Sequence, residues 1–120
     1  MDEKLNVPKG IKLIVAIVDR GKSEKITKIY KDNNITFQFI CLGKGTANSE
    51  ILDYLGLGET EKDVVLGTVI EEKVQHILQI LTNEMQFNKP GNGIAFTIPI
   101  TSVGGPITLQ FISGLTAKKE

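Results

Sequence analysis

Tryptophan is absent from these 120 residues, histidine and cysteine occur once each, and Arg20 is the only arginine. Each scarcity removes a class of chemistry. A lone Cys41 forbids an internal disulfide and leaves a CxxC redox pair or a zinc cluster without ligands. His76 has no second His or Cys at ligand spacing, so it reads as a solvated helix residue and no metal is expected. Neither sign of charge predominates, because fourteen Lys and Arg balance fourteen Asp and Glu. Nucleic-acid binders carry a basic excess, so that partner is not expected. No apolar run approaches the roughly 18 residues needed to cross a bilayer, and the opening MDEKLNVPKG lacks the cationic-then-apolar order of a secretion signal. A cytoplasmic location is the expectation. No Ser-His-Asp or Cys-His arrangement can be assembled from the spacing, and no carboxylate pair stands out among the fourteen acids.

What is present is a sequence of clear periods. IKLIVAIV, residues 11–18, is a short continuous apolar run rich in β-branched side chains and reads as a central strand. From Lys22 to Asn33 the period changes: Ile26, Ile29 and Tyr30 recur at helical spacing, and Asp32-Asn33-Asn34 ends the helix. TFQFICL, residues 36–42, returns to strand character, with Phe37, Phe39 and Cys41 on one face and Gln38, Ile40 and Leu42 on the other. Cys41 has no basic neighbour in sequence and reads as a buried strand residue. Between Gly43 and Lys62 a short helix through Ile51, Leu52 and Leu55 is conceivable, with Asn48 or Ser49 as its cap and Gly56 as its stop. DVVLGTVI, residues 63–70, is a third strand. The longest helix follows over 71–85, with Val74, Ile77, Leu78, Leu81 and Met85 on one stripe and Glu71-Glu72 favouring the dipole of its first turn. Residues 94–100 make a fourth strand whose Pro99 predicts an edge position. ITLQFI, residues 107–112, offers one further strand.

The resulting order, β-α-β-β-α-β, predicts an α+β ferredoxin-like fold: an antiparallel four-stranded sheet with two helices on one face. The other face would remain apolar and bare, which predicts an oligomer.

Three glycine-bearing stretches invite a chemical reading. Gly21-Lys22-Ser23 lies between strand and helix, where a phosphate-binding loop places GK[ST], but the glycine that motif requires five positions earlier is Ala16. A turn and a helix start explain it. Gly43, Lys44, Gly45 and Thr46 expose backbone N–H groups at a strand end beside a cation and a hydroxyl, a set suited to an anion or to a plain loop. Gly91, Asn92 and Gly93 form either a turn after a helix or a place where a ligand's phosphates approach bare backbone. Arg20 adds an enzymatic alternative, since small acylphosphatases of this topology cradle a phosphate with an arginine after strand one. Their loop pattern is missing from AIVDRGKS.

With GNGIAF standing before the last strand, in the place of a Gly-Asp-Gly-Lys-Ile-Phe stretch, and a long segment between strands two and three, the chain resembles the P-II signal-transduction (nitrogen regulatory) family, as a divergent P-II-like member. The resemblance spans about residues 11–101 and implies a single domain over 1–120 with core 11–101, a loop at 44–61 and a tail at 102–120. It implies a non-enzymatic homotrimer whose sheets line a central cavity. In that family a nucleotide lies in clefts between subunits, against positions that correspond to Gly43 and Gly45 and to Gly91, Asn92 and Gly93. The implied effector is an adenine nucleotide or another small anion. The implied target is a protein, such as a membrane transporter or an enzyme of nitrogen metabolism, touched by the 44–61 loop. This sequence departs from the pattern where Ile94 replaces the family's lysine after the second glycine. No arginine follows the last strand, and GKGTANSE holds no glutamine of the kind used for 2-oxoglutarate and magnesium. Tyr54 shares the loop with the tyrosine modified in some members, but its ILDYL setting reads as a packed helix. An oligomeric interaction module without a ligand is the remaining alternative.

Overall fold

In the computed structural model, which describes residues 4–6, 10–35, 37–44 and 61–105, the apolar run after Gly10 becomes the inner strand of a sheet. A three-residue strand β1 (Lys4–Asn6) precedes it, and the run itself is β2 (Ile11–Asp19). Helix α1 (Glu24–Asp32) leads to β3 (Gln38–Lys44). After the intervening segment come β4 (Glu61–Ile70), α2 (Glu71–Met85), β5 (Ile94–Pro99) and β6 (Ser102–Gly104). The main sheet has the order β3-β4-β2-β5, with every neighbouring pair antiparallel. The expected fold class is therefore present. Pro99 lies on β5, an edge strand, where its missing N–H costs no ladder bond. The readings at 51–55 and 107–112, and Tyr54, lie outside the described residues.

Side chains directly opposite one another in a ladder share a face, so the register sorts the sheet into two surfaces. Ile14, Ala16 and Val18 of β2 stand beside Val65 and Val69 of β4, and all five are buried in one cluster with Ile26, Ile29 and Tyr30 of α1 and Ile77 and Leu81 of α2. Both helices thus cover the same face. Gly67 allows the segment after α1 to sit close: a Cβ there would lie 2.6 Å from Ile35 Cγ2 and 3.2 Å from the Phe37 carbonyl. The end of α1 follows its sequence signal, since the Asn33 side chain donates to the Ile29 carbonyl at 2.8 Å and Asn34 turns to φ 66°.

The opposite face carries Leu13, Val15 and Ile17, flanked by Leu66 and Val64, then Phe39 and Cys41 on one side and Ile98, Phe96 and Ile94 on the other. Phe39 is 56% exposed and Ile98 44%. Cys41 corrects an expectation, for it is exposed. It points away from both helices, onto the opposite face, whose centre is buried at Val15 and Thr68 while its outer strands are exposed. Ile40 and Leu42, on the helix-side face, are also exposed, at 50% and 71%. The distal half of β3 is therefore apolar on both surfaces, a composition suited to burial on both. One end of this second face is closed by an unforeseen two-stranded ribbon: β1 pairs with β6, and Ile100 and Val103 pack on Ile11 and Ile70. Strands of three residues carry no usable periodicity.

Tyr30 is fully buried, and its hydroxyl donates to the Val65 carbonyl at 3.1 Å. Burial pushes its phenol well above the ordinary value near 10. The unfolded phenol ionises first, so the contribution is complete below about pH 10 and is lost as pH rises beyond it, with a slope approaching about 1.4 kcal/mol per pH unit. Tyr30→Phe is expected to cost about 1 kcal/mol at pH 8 and to flatten that alkaline loss. Urea denaturation of both proteins at pH 8 and pH 11 checks this; equal alkaline slopes would refute it.

Candidate functional site

Gly43 stands opposite Lys62 near the end of β3, and Lys44 opposite Glu61 closes the ladder. Gly45 and Thr46 lie outside the described residues. Gly91 and Gly93 both adopt positive φ, 94° and 118°, in the turn that carries α2 into β5. Gly93 is pressed against β2, where a Cβ would sit 2.5 Å from the Ile17 carbonyl oxygen and 2.9 Å from Val18 Cγ1. Between them, the Asn92 side-chain amide donates to the Gln86 carbonyl at 2.9 Å, tying the turn to the end of α2. Local turn chemistry accounts for these three residues within one chain, with Gly91 and Asn92 half-buried and Gly93 buried.

The two glycine stretches lie at the same end of the sheet, level with Ile17 to Asp19 of β2. They lie on opposite edges. Strands β4 and β2 separate β3 from β5, three inter-strand steps or about 14 Å. A single copy does not bring them together.

That sheet end also carries a cluster of ion pairs, and sequence spacing gave no hint of it because the partners are more than forty residues apart. On the face away from the helices, Lys62 Nζ meets Asp19 Oδ1 at 2.7 Å, with side chains 4% and 22% exposed. On the helix-side face, Asp63 receives Arg20 Nε at 3.3 Å on one oxygen and the Gly21 N–H at 2.9 Å on the other. The Arg20 fork continues across β4: Nη2 donates to the Gly43 carbonyl at 3.1 Å and the Lys62 carbonyl at 3.3 Å, and Nη1 faces Glu61 Oε1 at 3.5 Å. The acylphosphatase alternative needs that guanidinium turned toward a substrate phosphate. Here it is turned onto protein oxygens. Lys22, in the Gly-Lys-Ser stretch, is exposed, and Ser23 makes no side-chain cap to α1. His76 is exposed on α2.

The order and pairing of these strands, with both helices on one side, are those of a ferredoxin-like fold, which solved structures share. Neither family models nor the curated proteins give a match. Solved structures do. The chain is similar to CPII from Thiomonas intermedia K12, a nitrogen regulatory PII-like protein, in its form bound to ADP, AMP and bicarbonate: TM-score 0.58, 20% identity, covering 80% of this chain and 94% of that one. The same protein bound to ADP, AMP and acetate gives a TM-score of 0.61 at 19% identity, covering 82% and 93%. Its apo form gives 0.56 at 18%, covering 80% and 94%. No helix among the described residues is long and apolar enough to cross a membrane.

Proposed function

We propose that this protein is a non-enzymatic, cytoplasmic regulator of the P-II type, a homotrimer that takes an adenine nucleotide or a small anion such as bicarbonate in clefts between its subunits. A protein target, a membrane transporter or an enzyme of nitrogen metabolism, would read the bound state through residues 44–61. The observation that carries this reading is the placement of Gly43 and Gly93 at one sheet end but on opposite edges. Copies arranged head to tail would bring the β3 edge of one against the β5 edge of the next, so that backbone N–H groups from two chains face a common ligand. The exposed apolar side chains on the outer strands of that face support it, because Phe39, Phe96 and Ile98 together favour association. The ADP, AMP and bicarbonate named for CPII supply the ligand classes to try. With Ile94 in place of a lysine and no arginine after Arg20, each missing charge-assisted contact would remove about 1.5–3 kcal/mol from phosphate binding. Weaker nucleotide binding than the family pattern implies is therefore expected.

The test has two arms. Sedimentation should give a mass of about 39 kDa, three times 13.1 kDa, and Phe96→Asp should lower it to that of one chain by placing a charge on the apolar face. A thermal-shift series with ADP, AMP and bicarbonate should then show stabilisation, about 2.7 kcal/mol for a ligand at 100 times its Kd. A single chain at high concentration that responds to none of the three would end this reading. A trimer that responds to none would favour the interaction module without a ligand.

A further inference from the structure

We infer that Arg20 is a positioning residue for the ligand site, acting through the Gly43 peptide and not through contact with the ligand; this rests on the reading of that site given above. The guanidinium lies over the last but one rung of the β3–β4 ladder, with Nη2 donating to both the Gly43 carbonyl at 3.1 Å and the Lys62 carbonyl at 3.3 Å. The Gly43 carbonyl is thereby directed toward β4. In a trans peptide the carbonyl and the following N–H point in opposite directions, so the Lys44 N–H is directed outward, across the edge of β3 that pairs with no other strand among the described residues. That edge is where the proposed cleft receives an anion.

Glycine at position 43 makes such a brace necessary, since its peptide is freer to turn than that of any other residue. The brace itself is well held. Asp63, 4% exposed, accepts Arg20 Nε at 3.3 Å and the adjoining Gly21 N–H at 2.9 Å, which fixes the stem of the fork. Glu61 Oε1 faces Nη1 at 3.5 Å. Arg20 therefore touches the strand that leaves the sheet at Lys44 and the strand that returns at Glu61. Lysine could not reproduce this, because its single ammonium lacks the planar fork that spans several acceptors.

The experiment measures ADP affinity by calorimetry, well below every melting temperature, for the wild type, Arg20→Ala, Arg20→Lys and Glu61→Ala. Arg20→Ala should weaken binding about tenfold or more and Arg20→Lys by nearly as much. Glu61→Ala removes only the exposed ion pair and should stay within about twofold. A role confined to stability would shift the melting temperature and leave the affinity alone; wild-type affinity in Arg20→Ala overturns the inference, as does loss in Glu61→Ala equal to that in Arg20→Ala. Should Arg20→Ala not fold, Arg20→Lys is read by the same criterion. Should the wild type bind no ADP, the ligand reading fails, and amide exchange decides the positioning claim separately. Arg20→Lys must then speed exchange at the Gly43 and Lys62 amides about tenfold while the Val15 and Leu66 amides keep their wild-type rates. Unchanged exchange at that rung overturns it.

Discussion

Asp19→Ala is expected to destabilise the fold by about 3 kcal/mol, lowering the melting temperature by about 10 °C. The partner is the reason. Lys62 is 3% exposed and its ammonium rests 2.7 Å from Asp19 Oδ1. Removing the carboxylate leaves an enclosed cation without a counter-charge, and that desolvation cost exceeds the attraction an exposed pair supplies. Asp19 is itself partly open to water, which sets the figure at the lower end for a broken buried pair. Replacing both partners, as Asp19→Leu with Lys62→Met, should recover most of the loss, since no unpaired charge remains. Urea denaturation of the two single variants and the double variant, at fixed protein concentration, gives the coupling directly. A loss under about 0.5 kcal/mol in Asp19→Ala would mean that water already serves Lys62.

Gly93→Ala is expected to cost about as much or more, 3 kcal/mol or above, for a different reason. The residue holds φ at 118°, and an added Cβ would stand 2.5 Å from the Ile17 carbonyl oxygen and 3.0 Å from Phe87 Cε1. The first of these atoms belongs to the backbone of the central strand. It cannot swing aside. Gly21 provides the comparison, because it has φ 95° with nothing within 4 Å of the added atom. Gly21→Ala should show backbone strain alone, about 1 kcal/mol. Denaturation curves that place the two variants together would show that the contact with Ile17 is relieved by a small shift of the turn. The same substitution at Gly93 would disturb the proposed cleft, so its effect on ligand binding has to be read on folded protein.

The sheet and helices were legible because each element has a period that matches its burial. IKLIVAIV is apolar throughout and becomes an inner strand with neighbours on both sides; Ile26, Ile29 and Tyr30 keep helical spacing and all three are buried. Pro99 announced an edge. Cys41 was misjudged because alternation tells which residues share a face but not whether a second layer covers it. The β1–β6 ribbon was missed for want of length. Of the candidate site, the sequence offered two glycine stretches without their geometry: Gly43 and Gly93 reach the same sheet end only because β2 lies antiparallel to both β4 and β5. The Asp19, Arg20, Lys62 and Asp63 cluster was unreadable in principle from spacing. Its members come from strands joined by forty intervening residues, and only the register makes them neighbours.

The sheet ends in two unlike borders, β3 on one side and β5 on the other. Copies joined through unlike borders leave one of each kind unfilled however many are added, so a pair is never finished. Growth stops only when the turn from each copy to the next closes a circle. The difference between a discrete particle and an endless fibre would then reside in a few degrees of tilt at this seam, and substitutions there should be screened for filaments as well as for dissociation.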